Sequence, residues 1–317
     1  METRLDAYGM TDIGKQRSEN QDQFLIGNLV EGISIQFGSI AQDRVLRTPP
    51  SQGTFLIVAD GMGGHVGGTI ASAVAVECFA RYLRWKAADY LLPHEELLTR
   101  LVAAVRCCHK TIRKICRQRA DLCGMGTTFT VAYVLGRKLY VVHAGDSRCY
   151  LLRRGVMHQL TTDHTLAQLY VDSGATDASP AARKKMSHAL WNCLGGGENE
   201  LEVESVQCDV RLGDQLVLCS DGLSKYVDDR RICAIATRTS SVETACRDLI
   251  AAANEAGGAD NITVIVGRCI GAQDAASSQW TEQERRASSH AMDDTDPHCS
   301  HDIADAFDSA GIPAACS

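Results

Sequence analysis

The stretch Phe55-Leu56-Ile57-Val58-Ala59-Asp60-Gly61-Met62-Gly63-Gly64 is the most informative segment of this sequence. Its five consecutive apolar residues predict a buried β-strand that ends at Asp60. The nine residues 60–68 contain five glycines, which let the backbone approach a ligand closely, so a main-chain carbonyl there can bind a metal ion. A helix is predicted from about Gly67, because apolar residues recur four positions apart at Ile70, Val74, Cys78 and Tyr82.

Two further aspartates stand at the ends of apolar strands. Asp221 follows residues 215–220, and Asp260 precedes residues 262–266. A single strand-end aspartate followed by Gly or Asn is typical turn chemistry. Three of them beside central strands predict a cation site, because clustered carboxylates repel one another unless a cation lies between them. Oxygen ligands without His or Cys favour Mg²⁺ or Mn²⁺ over Zn²⁺.

The other elements are predicted in blocks. Strands are expected at 22–30, 33–38, 201–209, 214–220 and 261–268, with four more between 126 and 160. A loop is expected at 48–53, a second helix from about residue 95, a helical or irregular segment at 163–192, and two helices within 228–256. Strands grouped with strands, and helices with helices, indicate antiparallel sheets covered by helix layers rather than alternating βαβ units.

One alternative motif lies near the N-terminus. Residues 9–15 fit G-x-x-x-x-G-K, the pattern of a phosphate-binding loop. Position 16 is Gln in place of Ser or Thr, we interpret residues 1–8 as no buried strand, and no helix is predicted to follow. These departures disfavour a nucleoside triphosphatase.

Seven segments, in order along about residues 6–268, resemble the motifs of the metal-dependent protein phosphatase family, type 2C, in its bacterial form. They are Gly14-x-x-Arg17-x-x-Asn20-Gln21-Asp22, Val58-Ala59-Asp60-Gly61-Met62-Gly63-Gly64, Gly126-Thr127-Thr128, Ala144-Gly145-Asp146-Ser147-Arg148, Leu160-Thr161-Thr162-Asp163-His164, Cys219-Ser220-Asp221-Gly222-Leu223 and Asp260-Asn261-Ile262-Thr263. The resemblance implies an α+β fold, a four-layer α-β-β-α sandwich of two antiparallel sheets flanked by helices. It also implies a binuclear metal site at one edge of the two sheets.

The same resemblance assigns ligands to the two metal ions, Mn²⁺ or Mg²⁺. Asp60 would bridge both ions, and the carbonyl of Gly61 would complete the shell of one, with Asp22 near it through a water. Asp221 and Asp260 would hold the other ion.

Three further positions are given roles by the resemblance. Asp146 corresponds to a ligand of a third, weaker metal, shared with Asp221. Arg17 would bind the phosphoryl group, since a guanidinium can pair with two phosphate oxygens. Eukaryotic relatives have a proton-donating His where Met62 stands, and we interpret His65 as a helix-start residue, so a water on a metal is the expected acid.

The expected function is hydrolysis of phosphoserine and phosphothreonine in proteins by a water that the two metals activate. The expected substrates are a Ser/Thr kinase or its targets. Two alternatives stay open: a partner-switching phosphatase specific for one regulatory protein, and a catalytically silent binding module of the same fold. Intact Asp60, Asp221, Asp260 and Arg17 argue against the silent module, which has no need of repelling carboxylates.

The charge of the chain is concentrated in its last residues. Of the net −7, all is carried by residues 271–317, where nine acids stand against two bases. We therefore predict a phosphatase domain over 1–270 and an acidic, disordered tail over 271–317. The neutral body argues against non-specific nucleic-acid binding, which needs a basic surface.

The remaining expectations concern the environment of the protein. The longest apolar runs are far shorter than the roughly 20 residues of a membrane span, and the N-terminus has no apolar signal core, so we expect a cytoplasmic monomer with no membrane partner. The fourteen cysteines include no C-x-x-C, which favours buried thiols in a reducing compartment. Residues 31–53 are assigned no role.

Overall fold

The computed structural model describes residues 3–30, 32–39, 53–63, 65–85, 94–175, 179–196 and 200–271. In chain order its elements are β1 (Thr3–Asp12), β2 (Asp22–Val30), β3 (Gly32–Gly38), β4 (Thr54–Met62), α1 (His65–Trp85), α2 (His94–Gln118), β5 (Gly126–Thr127), β6 (Phe129–Leu135), β7 (Lys138–Ala144), β8 (Arg148–Arg153), β9 (Val156–Gln159), α3 (Leu166–Asp172), α4 (Pro180–Ser187), β10 (Leu194–Gly195), β11 (Glu204–Asp209), β12 (Gln215–Cys219), α5 (Asp221–Ser224), α6 (Asp229–Arg238), α7 (Val242–Glu255) and β13 (Ile262–Gly271).

The strands form two antiparallel sheets. One has five strands in the order β1-β13-β12-β8-β9. In the other, of eight strands, β4 lies between β2 and β6, β3 pairs with β2, and β7 and β11 continue beyond β6. The short strands β5 and β10 extend this sheet from the end of β4, where Gly61 is opposite Thr127.

The continuous apolar run of β4 is explained by burial on both faces. Phe55, Ile57 and Ala59 pack in the cluster formed with α1 and α2. Leu56 and Val58 point the other way, into the cluster between the two sheets. Because successive side chains of a strand alternate between faces, a strand covered on both sides is apolar at every position.

The five-stranded sheet is covered on both faces in the same way. Leu216 and Leu218 of β12 face the eight-stranded sheet, whereas Val217 and Cys219 face α6 and α7. The layers are therefore helices, sheet, sheet and helices. This arrangement confirms the predicted four-layer α-β-β-α sandwich.

Three features differ from the sequence-based prediction. Residues 3–12 form β1, so the interpretation of residues 1–8 as no buried strand was wrong. β1 is the edge strand of its sheet. Tyr8 and Ala7 are buried on opposite faces, but few residues beside them in the sequence are apolar, so no continuous apolar run marks this strand.

The first strand between 126 and 160 is divided at Thr128 into β5 and β6, and the two-residue strand β10 is too short to leave a sequence pattern. The predicted loop at 48–53 lies, apart from Gly53, outside the described residues, as does the tail beyond 271.

Helix α1 is long and apolar enough to cross a membrane by length and composition alone, over Val66–Leu83. In this structure 72% of that window is buried inside the molecule. Its residues Ile70, Val74 and Phe79 are completely buried in the cluster against β4 and α2. This burial identifies α1 as a core helix of the sandwich.

The cysteines in the described part of the chain are all thiols. Six of the twelve described are buried, including Cys149 and Cys219 between layers. Burial raises the pKa of Cys219 to about 12, so this thiol stays protonated at neutral pH. The six buried cysteines act as small hydrophobic side chains, as the sequence predicted, whereas the other six described are partly or fully exposed.

Candidate metal and phosphate site

The two sheets bring carboxylates together at one end of the sandwich. In the larger sheet, Asp60 near the end of β4 is directly opposite Asp22, the first residue of β2. In the smaller sheet, Asp221 follows β12 and begins α5, and Asp260 precedes β13, the neighbour of β12. The four aspartates, which lie far apart in sequence, therefore converge because β4 and β12 end, and β2 and β13 begin, at the same edge.

The pKa values show how strongly these groups interact. Burial raises the pKa of Asp60 well above its ordinary value, and the charges of Asp22, Asp221, Asp146 and Asp260 raise it further. Burial, with the charges of Asp221 and Asp260, raises the pKa of Asp22 to about 7, although hydrogen bonds from Ser220 and Thr263 lower it. Without a counter-ion, the cluster holds protons that isolated carboxyls would release.

Two carboxylate oxygens of the site have no hydrogen-bond partner among the described residues. They are Asp22 Oδ1 and Asp221 Oδ1, and both are buried. A buried, unpaired carboxylate oxygen is costly unless a cation is bound to it. Because the set consists only of oxygen atoms, it fits Mg²⁺ or Mn²⁺, and the residues present are therefore those that a binuclear site requires.

Asp22 also joins the two sheets. Its Oδ2 accepts a hydrogen bond from Ser220 Oγ at 2.7 Å, and Ser220 Oγ in turn accepts one from the backbone N–H of Thr263 at 2.9 Å. Asp22 is only 1% exposed. One oxygen is thus held by the opposite sheet, which directs the other toward the site.

The segment Gly126-Thr127-Thr128 fixes the backbone of Asp60. The Asp60 N–H donates to Thr128 Oγ1, and the Thr128 N–H donates back to the Asp60 carbonyl, both at 2.9 Å. The Thr127 hydroxyl donates to the same carbonyl at 2.9 Å. This motif therefore orients the central carboxylate.

Gly61 permits close packing at the end of β4. A Cβ atom at this position would lie 2.1 Å from the carbonyl oxygen of Gly68 and 2.7 Å from that of Gln21. Any side chain would push the first turn of α1 away from β4. The glycine therefore keeps the main chain of residues 60–61 against the site, consistent with the predicted role of its carbonyl.

Arg17 lies at the exposed rim of the site. Its Nη2 donates to Asp260 Oδ2 at 2.8 Å, and its side chain is 55% exposed. The hydrogen bond to Asp260 raises the pKa of Arg17, with further contributions from the charges of Asp60 and Asp221. A charged guanidinium beside the carboxylate cluster and open to solvent is suited to meet an incoming anion.

The loop that carries Arg17 is anchored by Asn261, a contact that the sequence analysis missed. The Asn261 amide donates to the carbonyls of Ile13 at 3.0 Å and Glu19 at 2.9 Å, and its Oδ1 accepts from the Gln21 N–H at 2.9 Å. The Asn261 N–H donates to Asp260 Oδ1 at 2.9 Å. The Asp260-Asn261 motif thus positions both the carboxylate and the Arg17 loop.

Asp146 joins the cluster through a residue that was also missed, Lys225. The Lys225 ammonium donates to Asp146 Oδ2 at 2.8 Å and to Asp221 Oδ2 at 2.5 Å. Burial lowers the pKa of Lys225, but the two carboxylates outweigh this effect and raise it above its ordinary value, so the ammonium is charged. Burial and Asp221 raise the pKa of Asp146 to about 6.

All the predicted site residues are therefore placed at one edge, with Arg17 at its rim. Met62 ends β4 beside them and is half-buried. The side chain of His65 lies outside the described residues. The sequence signal that could have found Lys225 is its position four residues after Asp221, one helical turn on.

The family assignment follows from comparison with known proteins. The sequence model described as Protein phosphatase 2C matches residues 34–260, more than half of the chain. This segment includes Asp60, Asp146, Asp221 and Asp260. The chain belongs to the protein phosphatase 2C family.

Several members of the phosphatase 2C family are similar to this chain. The serine/threonine protein phosphatase PstP of Mycobacterium tuberculosis is 39% identical over 211 residues, which are 67% of this chain and 39% of PstP. The serine/threonine phosphatase stp of Listeria innocua is 36% identical over 211 residues, 67% of this chain and 82% of that protein. The chain thus spans about two fifths of the length of PstP but most of stp.

A solved structure shares the fold. The crystal structure of the catalytic domain of PstP in complex with two manganese ions aligns with 85% of this chain and all of that chain, with a TM-score of 0.66 and 33% identity. This alignment agrees with the phosphatase 2C sandwich described above.

A second group of potential metal ligands in this phosphatase 2C domain lies next to the turn that carries Asp146. His143, His164 and Glu204 have ligand atoms within 4.8 Å of one another. Burial lowers the pKa of His143 to about 3, so its ring is neutral. Its Nε2 faces the carbonyls of Gly145 at 3.0 Å and Thr162 at 3.1 Å and so carries the proton, while Nδ1 faces the Thr130 hydroxyl at 2.8 Å.

Both ring nitrogens of His164 also face groups of the protein. Its Nδ1 faces the Gly145 N–H at 3.1 Å and the Asn192 amide at 2.8 Å, both donors, so Nδ1 is the acceptor and Nε2–H points toward Glu204. The lone pair of His164 Nδ1 therefore accepts hydrogen bonds from the protein, and that of His143 Nδ1 faces the Thr130 hydroxyl, which also lies 3.0 Å from the Ser147 carbonyl. This cluster therefore supports the turn that carries Asp146.

Proposed function

We propose that this chain is a metal-dependent protein serine/threonine phosphatase that uses two Mn²⁺ or Mg²⁺ ions. The observation that carries the proposal is a pair of buried oxygens without a hydrogen-bond partner in the described part of the chain, Asp22 Oδ1 and Asp221 Oδ1, which different sheets contribute to one carboxylate cluster. The names of the relatives and the two manganese ions of the PstP structure support the same function.

The metal ions would be held by the carboxylates of the site and one main-chain carbonyl. Asp60, Asp22, Asp221, Asp260 and the Gly61 carbonyl would hold the ions. When bound, two divalent ions supply an activated water and neutralise the charge that develops on a phosphoryl group.

Arg17 would orient the substrate. Its guanidinium contacts Asp260 through Nη2, and the exposed remainder is available for phosphate oxygens. Met62, directly after Asp60-Gly61, has no proton to donate, so this side chain does not protonate the departing seryl or threonyl oxygen.

We further propose that the substrates are phosphorylated proteins, among them a Ser/Thr kinase or its targets, and that the protein acts as a cytoplasmic monomer. The balance of charge in residues 1–270 supports the absence of a nucleic-acid partner, since all of the net −7 belongs to the tail.

The test is turnover of p-nitrophenyl phosphate and of a phosphothreonine peptide with Mn²⁺ or Mg²⁺. We expect hydrolysis that a chelator abolishes. Asp221→Asn should lower the rate by roughly 100-fold or more, the scale of losing one preorganised electrostatic contact, because it weakens a ligand and removes a charge.

The matched control is Asp209→Asn. Asp209 lies on β11, its side chain is 64% exposed, and its ion pair is with Lys138. The control should keep the parent rate. Undiminished turnover in excess chelator, or in Asp221→Asn, would overturn the two-metal function.

A further inference from the structure

Lys225 is a buried ammonium inside a carboxylate site. Its side chain is 16% exposed, and its two partners are more buried still, Asp146 at 5% and Asp221 at 12%. It stands one helical turn after Asp221, where its backbone N–H donates to the Asp221 carbonyl at 2.9 Å and caps α5. The turn therefore directs the ammonium back over the Asp221 carboxylate.

The two oxygens of Asp221 have different surroundings. Oδ2 is held by Lys225, whereas Oδ1 is buried without a partner among the described residues. Oδ1 is thus the atom open to a divalent ion, and Oδ2 is already neutralised. Asp146 is likewise bound through its Oδ2 to the same ammonium.

The net charge of the site is consistent with two divalent ions and the Lys225 ammonium. Asp22, Asp60, Asp146, Asp221 and Asp260 carry five negative charges when all are ionised. Two divalent ions neutralise four of them, and Lys225 neutralises the fifth. Arg17 then remains as surplus positive charge at the rim, where it meets a phosphate.

A divalent ion that bridged Asp146 and Asp221 through their Oδ2 atoms would need the two atoms that Lys225 now contacts. An ammonium within hydrogen-bonding distance of both carboxylates would also repel that ion strongly, because both cations would share a site largely closed to water. The two cations therefore exclude each other.

Building on the proposed function, we propose that Lys225 is a built-in cation that holds Asp146 and Asp221 together and keeps a third divalent ion out of the site. The chain then binds two ions rather than three. Lys225 is a positioning residue, because it acts through the two aspartates.

The test is the number of Mn²⁺ ions bound by the full chain, measured by isothermal titration calorimetry and native mass spectrometry. The parent should bind two ions. Lys225→Met, which keeps the length of the side chain and removes its charge, should bind a third and weaker ion. Lys225→Arg, which keeps the charge, should bind two.

The matched control is Lys138→Met. Lys138, on β7, also forms an ion pair, with Asp209 Oδ1 of β11 at 2.8 Å, but both of these side chains are exposed. Its variant should bind two ions. Thermal melting of each variant shows whether it is folded, and Lys225→Gln replaces Lys225→Met if the latter does not fold.

Three ions in the parent would overturn the proposal, and so would two ions in folded Lys225→Met and Lys225→Gln. Failure of the proposed function looks different: the parent would then bind no ions or hydrolyse no phosphate ester. Two ions and full hydrolysis in the parent, with no third ion in the uncharged variants, would remove only the role of Lys225.

Discussion

At the scale of single residues, Asp22 is where the binding of a proton and the binding of a metal ion compete. Burial, as the largest cause, raises its pKa to about 7, whereas the carboxyl of an unfolded chain titrates near 3.8. In the absence of divalent ions, its contribution to stability is present below the unfolded pKa and is lost as the pH rises through about 7. Ions that bind beside Asp22 must displace this proton.

The affinity for Mn²⁺ should therefore increase with pH up to about 7, by about tenfold per pH unit for each proton released. Calorimetry in buffers of different ionisation enthalpy measures both the affinity and the protons released. Asp22→Asn should release fewer protons than the parent. An affinity that is constant between about pH 5 and pH 7 would contradict the raised pKa.

The site residues differ in how far the sequence reveals them. Asp60, Asp221 and Asp260 could be predicted because each lies next to an apolar strand, after it or before it, which is a local pattern. Lys225 and Asp146 could not be paired, because they are 79 positions apart and only the packing of α5 against the turn after β7 brings them together. The contacts of Asn261 with residues 13–21 are equally non-local.

At the scale of elements, the turn between β7 and β8 depends on His164. This residue is 6% exposed, and its ring accepts the hydrogen bond of the Gly145 N–H. The ring packs against His143 and Trp191, with centroids 4.9 and 5.0 Å away. His164→Ala should lower the free energy of unfolding by about 1–3 kcal/mol, because it leaves a buried N–H without its acceptor. Denaturant unfolding measures this loss.

The control for this element is His158→Ala on β9, an exposed position, which should change stability by no more than about 0.5 kcal/mol. His164→Ala should also leave the number of bound Mn²⁺ ions unchanged, because both ring nitrogens of His164 face groups of the protein. Equal stability of the two variants would show that the network does not hold the turn.

The elements themselves were predictable where periodicity was strong. β4 and α2 were found near their observed bounds because both carry long apolar patterns. β1 was missed because an edge strand needs few apolar residues, and the division at Thr128 was missed because it serves the backbone of Asp60 rather than the core. Pairing and layer contacts, rather than local propensity, decide such features.

At the scale of the whole molecule, the described fold closes on itself before the acidic tail begins. β13 ends at Gly271, which is paired with Thr3 at the start of β1. All of the net charge of −7 lies in residues 271–317, and the remainder is neutral. Removing the residues after Gly271 would therefore change the electrostatics of the molecule and leave every strand of the described fold in place.

Deletion of the residues after Gly271 should leave the melting temperature and the turnover of p-nitrophenyl phosphate unchanged, because a segment with few branched apolar residues adds little to a core. Turnover of charged phosphoprotein substrates should become less sensitive to salt, since a long-range negative field is lost. A full-length variant with the nine tail acids replaced by Asn or Gln separates charge from length, and it should behave like the truncated chain. A truncated chain that melts much earlier, or that loses activity on the small substrate, would instead show that the tail packs against the domain and that the boundary at 270 is misplaced.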